Sequence, residues 1–258
     1  MKYKYSAIIP ARYASSRFPG KPLALLGGRP VILHVLENVE KVGIPAVVAT
    51  DDLRIAQCVE SAGGVAVMTR ADHRCGTDRV REAMDIISAS DAGIRPDVVI
   101  NVQGDEPFIH PSQLQTIMDI FENAPGTDIA TLARPVPPGT PFVVVEDPNK
   151  VKVVCSSDGQ ALYFSRSPIP YSRGVDDRDA WTTFHQYLFH IGIYAFRVPV
   201  LRHVTEMQPS PLETAESLEQ LRWLQAGLKI GVGITDIETI GIDTPSDLQA
   251  AEEFLSRG

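Results

Sequence analysis

The stretch Asp97–Val102 (DVVINV) decides the fold. Its apolar residues are nearly continuous, which is typical of a strand that a parallel sheet buries on both faces. It runs directly into the polar turn Gln103–Pro107 (QGDEP). Ligands of such sheets bind beyond the carboxyl ends of the strands. The stretch therefore predicts both a central strand and the place where a functional site begins.

Strands and helices alternate upstream of this stretch. β-branched runs predict strands at Ser6–Pro10, Ala46–Thr50 and Val65–Met68, and amphipathic patterns predict helices at Pro30–Val42, Asp52–Ala62 and Thr77–Ser88. A helix at Pro111–Asn123 and a strand at Asp128–Ala133 continue the order downstream. This βαβα order predicts the α/β class, with a mostly parallel central sheet flanked by helices.

The centre of the chain departs from this order. After a Pro-rich loop, Pro135–Pro148, the turn Ser157-Asp158-Gly159 between two apolar runs predicts a hairpin. The polar segment Ser172–Asp179 predicts an exposed, mobile loop. The remaining pattern predicts strands at His190–Phe196 and Lys229–Thr235 and helices at Thr214–Gln225 and Pro245–Ser256. We expect one domain over residues 1–258, with a smaller inserted β-rich lobe over about residues 135–200.

Composition excludes several classes of protein. With 44% hydrophobic and 22% charged residues in 258, the chain is neither disordered nor fibrous. We expect no membrane partner, because no apolar run reaches the roughly 18 residues of a membrane span. Three cysteines without a CxxC pair argue against a disulfide framework or a structural zinc site and favour a reducing cytoplasm.

Charge is distributed unevenly along the chain. The net charge of −8 argues against a general nucleic-acid binder. Residues 1–36 nevertheless contain six Lys or Arg and no Asp or Glu. A purely basic segment in an acidic protein is suited to holding a small anion, although a chance cluster is the alternative.

The basic segment contains the first candidate site. Residues 8–22 (IIPARYASSRFPGKP) place Arg12, Arg17 and Lys21 in a loop of small residues after a strand. Backbone N–H groups and these cations would cradle a polyphosphate. The loop is neither a P-loop nor a dinucleotide fingerprint. The alternative interpretation is a solvated basic loop.

Two carboxylates form the second candidate. Asp105 stands beside Gly104 at the end of the central strand, where it can hold Mg²⁺ without crowding. Asp243 precedes the last helix and is a candidate second metal carboxylate. Gln103 offers a donor and an acceptor to a base or a sugar. The alternatives are a turn-forming Asp105 and an Asp243 that only precedes a helix cap.

Seven segments in order resemble the 3-deoxy-manno-octulosonate cytidylyltransferase (CMP-KDO synthetase) family. They span residues 8–23, 69–79, 101–109, 161–171, 190–196, 209–222 and 241–248, and the resemblance covers about residues 6–252. It implies a Rossmann-like fold of the nucleotide-diphospho-sugar transferase type. It also implies the reaction CTP + 3-deoxy-D-manno-octulosonate (KDO) → CMP-KDO + diphosphate with Mg²⁺, in lipopolysaccharide biosynthesis, by a cytoplasmic homodimer whose interface lies in the central region.

The resemblance also implies site residues. The residues that it implies for nucleotide binding are Ala11, Arg12, Ser16, Arg17, Lys21, Arg79, Gln103 and Asp105. Sugar binding falls to Gln103, Arg166, His190, Tyr194, Glu219 and Gln220, and Asp105 and Asp243 are the metal carboxylates. The catalytic set is Arg12, Arg17, Lys21, Asp105 and Asp243.

The chain departs from the family pattern in two places, and rival functions stay open. Cys75 stands where the family commonly has Ser, and Ser172–His185 does not match closely, so no role is transferred to it. The sugar could instead be an 8-amino analogue of KDO or a sialic acid. A glycosyltransferase would more typically carry an Asp-x-Asp motif, which is not evident after the central strand. A non-catalytic nucleotide-binding module is the alternative of another class.

Overall fold

A computed structural model describes residues 2–15, 17–90 and 94–256; Ser16 lies outside the described residues. The strands are β1 (Tyr5–Ala11), β2 (Leu25–Leu26), β3 (Arg29–Pro30), β4 (Ala46–Thr50), β5 (Ala66–Met68), β6 (Val98–Asn101), β7 (Ile129–Pro135), β8 (Lys152–Cys155), β9 (Ala161–Ser165), β10 (Leu188–Arg197) and β11 (Ile230–Ile234). The α-helices are α1 (Val31–Glu40), α2 (Leu53–Ser61), α3 (Gly76–Ala89), α4 (Pro111–Asn123), α5 (Phe142–Glu146), α6 (Trp181–Phe184), α7 (Val198–Glu206), α8 (Pro211–Glu216), α9 (Gln220–Gln225) and α10 (Pro245–Leu255). Two 3-10 turns lie at Lys21–Leu23 and Arg178–Ala180.

The chain divides into two compact units. Unit 1 comprises Met1–Gln115, Ile193–Thr205 and Glu238–Gly258, and unit 2 comprises Thr116–Gly192 and Glu206–Ile237. Strand β10 contributes its first half to unit 2 and its second half to unit 1. Among the described residues, no helix is both long and apolar enough to cross a membrane.

Unit 1 is built on the predicted parallel sheet. Strand β1 pairs in parallel with β6 on one side and with β4 on the other, and β4 pairs in parallel with β5. The second half of β10 pairs antiparallel with β6. Ala7, Ile8 and Ile9 are fully buried, because β1 is covered on both faces. The sequence prediction of a mostly parallel α/β sheet is confirmed, and the carboxyl ends of four strands meet at one edge.

Unit 2 contains the predicted hairpin. β8 and β9 pair antiparallel, and Gly159 adopts a φ of +80° in the turn between them. β7 and β11 pair in parallel. The aromatic core includes Phe142 and Trp181, whose ring centroids are 4.9 Å apart. Phe142 belongs to α5, which lies within the predicted loop Pro135–Pro148. Trp181 belongs to α6, in a stretch where the sequence predicted no helix. The packing of their buried aromatic side chains explains why these short segments form stable helices.

One predicted helix is wrong in its extent. Thr214–Gln225 is not one continuous helix, because α8 ends at Glu216 and the next residue, Ser217, adopts the left-handed conformation with a φ of +52°. A second helix, α9, then begins at Gln220. The predicted loop Ser172–Asp179 is also not exposed throughout. Ser172 is buried, and its hydroxyl lies 3.4 Å from that of Tyr187.

Candidate functional site

A cavity of about 280 Å³ lies in unit 1, where the segments after β1, β5 and β6 meet. Its walls carry the guanidinium and ammonium groups of Arg12, Arg17, Lys21, Arg74 and Arg79. Two carboxylates, Asp105 and Asp243, also line it. Positive charge exceeds negative charge in the wall, so the cavity is suited to a polyanion that brings a cation with it.

Lys21 links the two carboxylates. Its Nζ lies 2.5 Å from Oδ2 of Asp105 and 3.2 Å from Oδ1 of Asp243. Arg17 reaches the same Asp243 oxygen at 3.2 Å. The Lys21 side chain is only 11% exposed, so these contacts are less screened by solvent than those of a surface lysine. The structure thus brings together four of the residues that the sequence assigned to phosphate and metal binding.

The loop after β1 places Lys21. Gly20 adopts a φ of +73°, which an L side chain rarely tolerates, and its N–H donates to the Tyr13 carbonyl at 2.9 Å. The chain then enters the 3-10 turn Lys21–Leu23. Arg54 stacks over the Tyr13 ring at 3.5 Å from its centroid. The turn therefore starts at a defined position and directs the Lys21 side chain toward the carboxylates.

Close backbone contacts place Asp105. A Cβ on Gly104 would lie 2.7 Å from the carbonyl oxygen of Pro10, so only glycine lets the segment after β6 approach the end of β1 this closely. The N–H of Ile242 donates to the Asp105 carbonyl at 2.9 Å. This hydrogen bond brings the segment that carries Asp243 beside Asp105.

The start of α10 fixes Asp243. Thr244 caps the helix, and Asp247 completes a capping box. The Asp247 Oδ2 accepts hydrogen bonds from the N–H groups of Asp243 at 2.9 Å and of Thr244 at 2.8 Å. Thr244 is therefore a helix cap, as one sequence interpretation held, but the cap also places Asp243 in the cavity. The two interpretations are compatible.

Glu106 lies behind the two cavity carboxylates. Burial, reinforced by the negative charges of Asp105 and Asp243, raises the pKa of Glu106 to about 8. It is therefore mostly protonated at neutral pH. The carboxylates that face the cavity are those of Asp105 and Asp243, and this oxygen donor set fits Mg²⁺. That ion takes one or two protein carboxylates and completes its coordination with phosphate and water oxygens.

The other predicted nucleotide-binding residues within the described chain also border the cavity. Arg12 and Gln103 line it, and Ala11 lines it as the last residue of β1. Arg12 is exposed and forms no ion pair with the part of the chain that the structure describes. Arg79 lines it from the first turn of α3, with a side chain only 5% exposed.

Cys75 occupies the N-cap position of α3 and lines the cavity. Its backbone is extended, as a cap requires, but its side chain makes no capping hydrogen bond. A Ser hydroxyl would accept one from a first-turn N–H. We therefore expect Cys75→Ser to stabilise the protein by about 1 kcal/mol, measured by urea unfolding. Cys58→Ser, within α2 and away from its cap, is the control; an equal gain in both variants would show that capping is not the cause.

Of the predicted sugar-binding residues, Gln103 and Tyr194 belong to unit 1 and the others to unit 2. Tyr194 faces Asn101 across the β10–β6 pair. In unit 2, Arg166 donates to carbonyl oxygens around the break between α8 and α9: its Nε to Glu216 at 2.6 Å and its Nη2 to Ser217 at 3.2 Å. The guanidinium is therefore held in a defined orientation.

His190, Glu219 and Gln220 complete the unit 2 set. The His190 Nε2 lies 2.9 Å from the Thr131 hydroxyl, and burial lowers the pKa of His190 to about 3. The ring is therefore neutral near pH 7. Glu219 accepts a hydrogen bond from the buried Arg222, and Gln220 is itself buried at the start of α9.

Several residues around the cavity were not predicted from the sequence. Asp51, after β4, and Thr69, after β5, hold the Arg79 guanidinium, and neither was assigned a role. Arg74, which lines the cavity, was not assigned a role either. The signal was available in principle, because each of these residues follows a predicted strand on the edge where ligands bind.

Known proteins resemble this chain over its whole length. The family model described as Cytidylyltransferase matches residues 6–230. Proteins named 3-deoxy-manno-octulosonate cytidylyltransferase from Bacteroides thetaiotaomicron and Phocaeicola vulgatus are 55% and 52% identical, over 98% of this chain and 98% of each relative. The solved structure of a CMP:2-keto-3-deoxy-manno-octonic acid synthetase complexed with CTP superposes with a TM-score of 0.88 at 41% identity, covering 98% of this chain and 99% of that one. The chain belongs to the 3-deoxy-manno-octulosonate cytidylyltransferases.

Proposed function

We propose that this protein catalyses CTP + KDO → CMP-KDO + diphosphate. The observation that carries the proposal is the cavity in which Lys21 forms ion pairs with both Asp105 and Asp243 and which several arginines line. That arrangement is suited to binding a nucleotide together with Mg²⁺. The chain that carries it is 55% identical to a protein named 3-deoxy-manno-octulosonate cytidylyltransferase.

The cations of the cavity bind the triphosphate. Arg12 and Arg17 are exposed at its wall and can reach phosphate oxygens, and Lys21 lies deeper, beside the carboxylates. Cationic donors neutralise charge on the phosphates and stabilise the diphosphate as it leaves. Little covalent work falls to the protein in phosphoryl transfer, so positioning and electrostatics dominate.

The reaction exchanges one phosphorus–oxygen bond for another. The anomeric hydroxyl oxygen of KDO forms a bond with the α-phosphorus of CTP, and the bond from that phosphorus to the bridging oxygen of the β-phosphate breaks. The hydroxyl proton passes to solvent, and diphosphate departs with the electron pair of the broken bond. We assign no general base, because no side chain of the described cavity stands out for that role.

Asp105 and Asp243 would hold Mg²⁺ in the loaded enzyme. When bound, the ion neutralises phosphate charge and lowers the pKa of the attacking hydroxyl. The Lys21 ammonium lies between these carboxylates and compensates their charge. Binding of the magnesium nucleotide would then let Lys21 turn toward the phosphates.

The unit 2 residues supply the proposed sugar contacts. Arg166 is the better partner for the KDO carboxylate, because it is permanently charged and its guanidinium is already oriented by carbonyl groups. His190 is neutral near pH 7, so we assign it a hydrogen bond to a sugar hydroxyl rather than an ion pair. Glu219, Gln220 and the unit 1 residues Gln103 and Tyr194 complete the assigned set.

The wider biological setting belongs to the same proposal. A role in lipopolysaccharide biosynthesis follows from the product, CMP-KDO. A cytoplasmic location is supported by the three cysteines, all of which are free thiols. We also propose a homodimer whose interface lies within residues 135–200, a region with the exposed apolar side chains Val143, Leu162, Tyr171 and Phe184.

The test is release of diphosphate from CTP in the presence of Mg²⁺ and freshly supplied KDO. Parallel reactions contain the 8-amino analogue of KDO, sialic acid or no sugar. Release that depends on KDO is the expected result. Release only with another acidic sugar would show that KDO is not the substrate, while the proposed cytidylyl transfer from CTP would stand. CTP binding without release in any reaction would favour a non-catalytic nucleotide-binding module.

A further inference from the structure

Arg79 is a buried cation at the wall of the nucleotide cavity. Its side chain is 5% exposed, and it enters from the first turn of α3. A buried guanidinium is costly unless its charge is compensated and its N–H groups have acceptors. The residues that compensate Arg79 therefore determine where its remaining donors lie.

Two acceptors at the sheet edge hold Arg79. Its Nη1 donates to the Thr69 hydroxyl at 2.6 Å, and its Nη2 lies 3.3 Å from Oδ2 of Asp51. Asp51 directly follows β4, and Thr69 directly follows β5. The register pairs Thr50 with Met68, so the next residue on each strand lies at the same edge. The parallel sheet itself therefore places both acceptors under the guanidinium.

The Asp51 carboxylate has Arg79 as its partner within the described chain. Its side chain is 16% exposed, and its second oxygen, Oδ1, is buried without a hydrogen-bond partner among the described residues. Asp51 is absent from the cavity wall, whereas Arg79 is part of it. The carboxylate can therefore influence a ligand only through the guanidinium that it orients.

We propose that Asp51 is a positioning residue for nucleotide binding, acting through Arg79. The inference rests on the proposed function, because it takes the cavity to be the CTP site. Asp51 orients the Arg79 guanidinium at Nη2 and compensates its charge, and Thr69 holds its other terminal nitrogen. The fork of N–H groups then meets the nucleotide already oriented, without an entropic cost for ordering it on binding.

The test compares CTP binding by calorimetry with steady-state kinetics in Asp51→Asn, Arg79→Lys and the double variant. We expect Asp51→Asn to weaken CTP binding about tenfold and to change the KM for KDO less than about twofold. In the Arg79→Lys background, the same Asp51 substitution should weaken CTP binding less than about threefold. Asp85→Asn is the matched control, because it breaks the ion pairs of Asp85 with Arg81 and Arg202 outside the cavity.

Two results would overturn the inference. One is wild-type CTP affinity in Asp51→Asn, and the other is an undiminished loss when the substitution is made in the Arg79→Lys background. If Asp51→Asn does not fold, Thr69→Val, which removes the other acceptor at nearly constant volume, should weaken CTP binding about threefold, and unchanged affinity would overturn the inference. Binding of CTP is measured without sugar, so failure of the proposed reaction remains distinguishable from failure of this inference.

Discussion

Asp105→Asn is expected to reduce kcat at least about a hundredfold. The substitution keeps the size of the side chain but removes one of the two carboxylates that we assign to Mg²⁺. It also takes from Lys21 the closer of its two acidic partners, at 2.5 Å. Because the Ile242 N–H bonds to the backbone carbonyl of Asp105, the segment that carries Asp243 should stay in place. The measurement is diphosphate release at saturating CTP and KDO over a range of Mg²⁺ concentrations.

The matched control is Asp128→Asn. Asp128 accepts a hydrogen bond from the Lys229 N–H at 2.9 Å, at the start of β7 and outside the cavity. The Asp128→Asn variant should retain nearly wild-type turnover. A near wild-type rate in Asp105→Asn would show that the metal assignment is wrong. A rate that excess Mg²⁺ restores would locate the defect in metal affinity rather than in the chemical step.

Lys21→Met is expected to lower kcat/KM for CTP about a hundredfold. Methionine keeps a similar length of apolar chain but leaves Asp105 and Asp243 without the ammonium between them. The triphosphate then loses a cation, and the two carboxylates repel each other across the ligand-free cavity. Lys21→Arg should recover only part of the loss, because a planar guanidinium does not replace a compact ammonium at a largely buried position.

The control for this prediction is Lys41→Met. Lys41 is an exposed lysine that pairs with Glu37 on α1 at 3.2 Å. An unchanged kcat/KM is expected there. If Lys21→Met left both CTP binding and turnover unchanged, Lys21 would be a structural ion-pair residue only. The polyphosphate assignment of the loop after β1 would then rest on Arg12 and Arg17.

The parallel sheet of unit 1 follows from its sequence. Strand β1 contains the apolar run Ala7–Ile9, and the polar motif Gln103–Pro107 closely follows the end of β6. Both strands, and the edge at which they end, could therefore be predicted. The side-chain contacts within the site could not be predicted from the sequence. Nothing in the local pattern indicates that Lys21 contacts two carboxylates, or that Asp51 and Thr69 share Arg79. Those pairings depend on strand register and on contacts between distant segments.

The break after α8 shows the same limit. Ser217 gives no Gly or Pro signal, yet it adopts a positive φ. Its carbonyl accepts a hydrogen bond from Arg166, a residue 51 positions away. Helical periodicity over Thr214–Gln225 therefore predicted a continuous helix, and a tertiary contact accompanies its interruption. The break also leaves Glu219 at the N-terminal cap position of α9.

The bridge that Lys21 makes has a consequence for the lifetime of the protein. Lys21 is 84 residues from Asp105 and 222 from Asp243 along the chain. Closing such long loops is entropically costly, so we expect the unfolded chain not to hold these three residues together. A nucleotide that binds there stabilises the native state alone, by about 2.7 kcal/mol at a hundredfold excess over its Kd. Nucleotide supply would thus govern how quickly proteases remove this protein as well as how fast it works.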